Sequence, residues 1–274
     1  MTQPSDVAII RTCDDEKTVS VSEIAKGNIF RRMKYIQEHA IFSANIYESD
    51  HNRLPVPDGW EKLDSLPNFE TCPSGKQKIR GMEFEVWRKI HKKEELLILI
   101  VFRGTDANQL GDWCSNFRWI TRFIPFVWDQ YDQVRMMIPQ LVDYLRHIHQ
   151  PYGKETIIMC AGHSLGGGLA QQAAYASKYI KEVYAFAPSV VTGFFSVKKQ
   201  VLDVSTQGME IYRIYEKGEI LSLLRWLMRK FHPLSRENPA IAEIRYNFLS
   251  GNIIYQHNMK VFAQKLKDIR MQSA

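Results

Sequence analysis

Cysteine is scarce in this chain and badly placed for metal binding. Only four occur in 274 residues, at Cys13, Cys72, Cys114 and Cys160. None forms a CxxC pair or a Cys/His ligand spacing, which argues against a structural zinc and against a disulfide framework. Cys160 lies in an apolar run and reads as a buried thiol. Long hydrophobic runs are missing too. The longest strongly apolar stretch, residues 96–102, is far shorter than the roughly 20 residues of a bilayer-crossing helix, so any membrane contact is expected to be peripheral. The opening MTQPSDVAIIRTCDDEKT has no basic start followed by an apolar core, so no secretory signal is predicted. The expectation is a cytoplasmic protein, or one exported without a cleavable signal. Zinc-finger spacings, RNP-like strands and long basic runs are also absent, so no nucleic-acid partner is predicted.

What remains is ordinary globular composition, 45% hydrophobic and 24% charged, in a chain long enough for one large α/β unit. One domain over residues 1–274 is the default. The net charge of +6 is unevenly spread: residues 197–274 hold 13 basic and 7 acidic side chains, which leaves the rest neutral. That excess suits a solvated basic face or contact with an anionic membrane.

Apolar residues recur with helical spacing over residues 28–47, and prolines with glycines make residues 55–75 an irregular connection. Residues 1–80 therefore read as a helical and irregular N-terminal extension. Residues 83–90 and 95–102 read as strands joined by a charged turn, and the second, ending LLILIVF, is continuous enough to be buried on both faces. Helices are predicted over 129–149, 165–179 and 257–270, and further strands over 156–160, 182–187 and 210–215. Strands alternating with helices predict an α/β fold, a mostly parallel sheet covered by helices on both faces. Functional groups in such sheets gather at the carboxyl ends of the strands.

One motif carries chemistry in that frame. Gly162-His163-Ser164-Leu165-Gly166 matches G-x-S-x-G, with a short apolar strand before it and a small-residue helix after it. The serine of such a turn needs positive φ, and the flanking glycines let the strand and helix pass closely. Leu165 N–H then points from the helix N-terminus to where an oxyanion would form. A P-loop would place Lys-Ser or Lys-Thr after its glycines, whereas Leu169-Ala170 stands there.

A serine hydroxyl is a poor nucleophile at neutral pH, so it requires a base and a group that orients the base. In this topology the order is Ser, acid, His. His232 and His257 are the two histidines that follow Ser164, and His257, between an apolar segment and a helix start, is preferred. The acid is expected just past residues 210–215, in Glu216-Lys217-Gly218-Glu219. Glu219 is the choice and Glu216 the fallback. His163 is assigned to packing or to the turn itself.

These motifs resemble the class 3 lipase family, the Rhizomucor-type lipase-like α/β-hydrolases. The resemblance rests on VFRGTD (101–106), GDW-x-x-N (111–116), AGHSLGGGLA (161–170), YEKGEIL and His257, and spans about residues 83–267. It implies an α/β-hydrolase fold, a serine ester hydrolase that needs no cofactor, and an oxyanion hole formed by Thr105 and Leu165. It also implies a lid over residues 110–131, a stretch holding Trp113, Phe117, Trp119, Phe123, Phe126 and Trp128. Apolarity on that scale suits acyl-chain contact or core packing. The basic, aromatic residues 220–234 suit an anionic lipid interface or a helix packed beside the site. The expected substrate is an acyl lipid or small ester. The same fold without catalysis would be a lipase-like binding module, and a phospholipase toxin delivered to target membranes would share the chemistry.

Overall fold

The computed structural model describes residues 5–20, 23, 35–67, 82–91, 95–104, 130–149, 155–222, 225–226 and 233–273. Among the described residues, nine strands form one sheet in the order β2-β1-β9-β8-β7-β6-β5-β4-β3. They are β1 (Ser5–Arg11), β2 (Glu16–Ser20), β3 (Trp60–Lys62), β4 (Phe84–His91), β5 (Glu95–Phe102), β6 (Glu155–His163), β7 (Ile180–Phe186), β8 (Glu210–Glu216) and β9 (Ala240–Asn247). The five strands β5 to β9 run parallel, and an antiparallel pair closes each edge. With α1 (Ile36–Asn45), α2 (Gln130–His149), α3 (Leu165–Ala176), α4 (Lys199–Ser205) and α5 (Met259–Ser273), this is the architecture of an α/β-hydrolase.

β5 explains how the layers form. Its alternate residues Leu97, Leu99 and Val101 join one apolar cluster with Phe42 of α1 and Phe262 of α5. Leu96, Ile98, Ile100 and Phe102 join another with Val134 and Leu141 of α2 and with Leu169 and Ala173 of α3. A strand covered on both sides has no polar face to spare, which is why LLILIVF does not alternate in sequence. Each fully buried side chain of this size contributes about 1.5–3 kcal/mol. No helix among the described residues is long and apolar enough to cross a membrane.

The N-terminal extension departs from expectation. Residues 5–11 and 16–20 are strands, with β1 pairing antiparallel to both β2 and β9. β2 pairs with β1 across the turn at residues 12–15, whereas β1 also pairs with β9, more than 200 residues away. β9 was also unforeseen, although Ala242, Ile244 and Tyr246 are buried while Glu243, Arg245 and Asn247 are half-buried, a period-2 pattern. The first helix, read over 28–47, is described only from Ile36. Almost all of the expected lid, with Thr105 and His232, lies outside the described residues.

Register sets the site. Phe102 pairs with Gly162, His163 with Phe186, and Phe186 with Ile214, so β5, β6, β7 and β8 end along one edge.

Candidate active site

Between the end of β6 and the start of α3, Ser164 has φ 57° and ψ −123°. That conformation is strained for a residue with a Cβ, and it persists because the surroundings over-determine it. Ser164 N–H donates to the Phe186 carbonyl at 2.9 Å, and its own carbonyl accepts from Gly167, Gly168 and Ser189 N–H at 3.0, 3.3 and 3.0 Å. The flanking glycines have a steric role. A Cβ on Gly162 would run into the Gly166 backbone, one on Gly166 into the Phe102 carbonyl, and one on Gly104 into the His163 carbonyl and the Tyr47 hydroxyl. Because these four obstacles are main chain or the hydroxyl of an anchored ring, substitution there must move the elbow itself.

Leu165 opens α3, so its N–H lacks an intrahelical acceptor and lies at the positive end of the helix. The facing turn, Arg103-Gly104, is held by Tyr47. Its hydroxyl accepts from Gly104 N–H at 2.8 Å and donates to the His163 carbonyl at 3.2 Å, joining the end of β5 to the elbow. Thr105, the next residue, is outside the described residues.

The base arrives from the far end of the chain. His257 closes a short 3-10 turn, Tyr255–His257, that leads into α5. Its Nδ1 lies 2.5 Å from Glu219 Oε2, and both side chains are essentially buried. A carboxylate at Nδ1 selects the tautomer with its proton there, leaving Nε2 as an acceptor. Ser164 Oγ and His257 Nε2 are both buried with no hydrogen-bond partner among the described residues. Burial, and secondarily the nearby Arg225 charge, hold the imidazole well below its ordinary pKa. His163, next to the serine, packs its ring 4.5 Å from that of His257 and 5.8 Å from that of Tyr47. Burial and then the His257 charge hold its own pKa down.

Two glutamates at the end of β8 compete for the acid position, and the geometry separates them. Glu219, past the left-handed Gly218, meets His257 and also accepts from Leu221 N–H at 3.0 Å and Ser222 Oγ at 3.5 Å. Its second oxygen pairs with Arg225. Glu216 does not bond to the imidazole. Its Oε1 accepts from Leu249 N–H at 3.1 Å, while Oε2 is buried without a partner among the described residues. Burial pushes the Glu216 carboxyl up to about 7, against the opposing backbone N–H groups of Leu249 and Phe248. Tyr47, Arg225 and the loop-holding role of Glu216 escaped the sequence reading. None carries a motif, and Tyr47 and Glu216 act through partners 57 and 33 positions away.

Several solved structures are similar in fold. The native Rhizomucor miehei lipase–propeptide complex is 16% identical, with 71% of this chain and 63% of that chain covered and a TM-score of 0.43. Lipase II from Rhizopus niveus is 15% identical, covering 80% of this chain and 78% of that one with a TM-score of 0.42. An esterase from Pyrobaculum calidifontis is 14% identical over 89% and 93%, with a TM-score of 0.36. The chain spans 63% and 64% of the length of the two Rhizomucor miehei chains it resembles. No curated protein matches the chain. A family model described as phospholipase-like, Tle-like phospholipase domain, matches residues 38–226, well over half the chain, and the protein belongs to that family.

Proposed function

We propose that this protein is a serine carboxylic-ester hydrolase acting on acyl lipids, with phospholipids as the substrate class favoured by its family. The observation that carries the reading is the buried His257–Glu219 pair at 2.5 Å on the same sheet edge as a serine held at positive φ. In the proposed reaction His257 Nε2 takes the proton of Ser164 Oγ as the oxygen adds to the ester carbonyl. Glu219 keeps the imidazole in the required tautomer and stabilises the imidazolium that forms. Leu165 N–H, with Thr105 N–H, stabilises the developing oxyanion, a contribution worth about 3–4 kcal/mol per donor in related chemistry. The imidazolium then protonates the leaving alcohol, and water, deprotonated by the same nitrogen, hydrolyses the acyl-enzyme. No cofactor enters these steps.

Peripheral contact with an anionic membrane is part of the proposal. Trp226 is 67% exposed; Ile253 and Ile254, exposed as well, immediately precede the turn that carries His257, and the exposed Tyr255 opens it. Large exposed apolar side chains near His257 in sequence, in a segment of net positive charge, suit an anionic lipid surface.

Ser164→Ala is the direct test. Hydrolysis of a p-nitrophenyl ester and of phospholipid vesicles is expected to fall by about 10⁴-fold or more, with an unchanged circular-dichroism melt. Turnover that survives the substitution would remove the nucleophile assignment.

A further inference from the structure

We propose that Arg225 is a positioning residue for this site, a buried guanidinium that clamps the Glu219 carboxylate against His257 and ties it to the backbone after β7. This rests on the proposed Ser164–His257–Glu219 reading. Arg225 is only 14% exposed, and its Nη2 pairs with Glu219 Oε1 while Oε2 of the same carboxylate faces His257 Nδ1. Its Nη1 donates to the Pro188 carbonyl at 2.9 Å, just past the end of β7. The guanidinium carbon sits 4.6 Å from the centre of the Tyr215 ring, and the Tyr215 hydroxyl in turn donates to Glu243 of β9 at 3.1 Å. One planar group thus has an ion pair to the post-β8 turn, a backbone hydrogen bond to the segment after β7 and a ring contact with β8, while its Nε is buried without a hydrogen-bond partner among the described residues. Such a fork is what a guanidinium supplies and an ammonium does not.

The consequence is that the carboxylate cannot rotate away from the imidazole without breaking a buried ion pair. A glutamate side chain also has an oxygen to offer each partner, which gives the residue at position 219 a use for both. Burial lowers Arg225 to about 10, so it remains cationic across the working range. The charged or titratable groups around the clamp are Glu219 on its own segment, Arg213, Tyr215 and Glu216 on β8, Glu243 on β9 and His163 on β6. Of the neighbouring charges, that of Arg225 lowers the His257 pKa. His257 must be neutral to act as base, so activity is present above its pKa and lost as pH falls through it. Removing the cation raises that pKa and moves the acid limb upward.

The test compares kcat, KM and the pH profile of kcat/KM on a soluble p-nitrophenyl ester for wild type, Arg225→Met, Arg225→Lys and Ser164→Ala, each with a thermal melt. Arg225→Met is expected to lose about 100-fold in kcat, the scale of a small misplacement, with KM within twofold. Its acid limb is expected to move up by about one pH unit. Arg225→Lys is expected to keep the limb near wild type but lose about tenfold in kcat, because the ammonium cannot reach both Glu219 and Pro188 in the same plane. An unmoved limb in the folded Met variant, or wild-type kcat in the Lys variant, would overturn the proposal. If Arg225→Met does not fold, the Lys variant decides alone: an intact melt with lowered kcat supports the clamp, and wild-type kcat refutes it. Turnover by Ser164→Ala would instead bring down the triad reading, so the two failures are distinguishable.

Discussion

The two halves of the site are built in different ways. On the nucleophile side the constraint is all backbone: Gly162, Ser164 and Gly166 fall within five residues, the two glycines crowd the Phe102 carbonyl of the neighbouring strand, and main-chain bonds from Ser164 to Phe186 and Ser189 brace the turn. On the acid–base side nothing is contiguous. Glu219 and His257 are 38 residues apart and meet because Glu216 accepts from Leu249 N–H and Ile220 N–H donates to the Ile253 carbonyl. Backbone sterics therefore secure the serine, whereas buried polar contacts secure the base. Buried polar assemblies are sensitive to single lost partners, because each orphaned group bears its full desolvation cost.

That difference predicts where conservative changes do the most damage. Glu219→Gln keeps size and hydrogen-bonding capacity but presents an amide that can donate to Nδ1, which would fix the imidazole with its proton on Nε2. Loss of about 10⁴-fold in kcat is expected, the size of effect seen when a triad imidazole is held in the wrong tautomer, with the melt altered far less than the rate. A fall of less than tenfold would mean that another group orients His257.

A milder change probes the serine side. Tyr47→Phe removes the acceptor for Gly104 N–H and the donor to the His163 carbonyl, but the glycine contacts that shape the elbow remain. The orphaned N–H is expected to cost about 1–3 kcal/mol of stability, with kcat lowered by about tenfold and KM steady. Should kcat fall as far as in Glu219→Gln, the serine side would depend on polar bridging as much as the base side does, and the contrast would collapse.

The same contrast explains what could be read from the sequence. The elbow was legible because its requirements are steric and local: a strand, small residues at fixed offsets and a helix start. β4, β5, β8 and α2 were legible because burial on one or two faces leaves a periodic or continuous apolar signature. His257 and Glu219 were reachable only through chain order and the nearby glycine turn. Tyr47 and Arg225 were not reachable, since a tyrosine hydroxyl bridging residues 57 and 116 positions away leaves no trace in local pattern. β1 was hidden for a related reason, since its partner β9 lies more than 200 residues on, and β2 joins the sheet by pairing with β1.

The smallest expected effect on rate, and the one that separates the two glutamates, concerns Glu216. A carboxyl whose folded pKa is raised to about 7 from an ordinary 4.5 binds a proton in the native state over a range where the unfolded chain has released it. Between about pH 4.5 and 7 stability therefore falls as pH rises, by up to about 3 kcal/mol at 1.36 kcal/mol per unit. Above pH 7 the penalty is fully present, and below 4.5 it is gone. Glu216→Gln removes the ionisation while its amide oxygen can still accept from Leu249 N–H, so the variant is expected to lose this slope. Urea midpoints at pH 5 and pH 8 measure it: wild type should be the more stable at pH 5 by a margin that shrinks in the variant. Because Glu216 holds the loop and does not touch the imidazole, kcat at pH 8 should change by less than tenfold. A collapse of activity matching that of Glu219→Gln would instead make Glu216 part of the acid–base machinery, and the distinction drawn from their hydrogen bonds would fail.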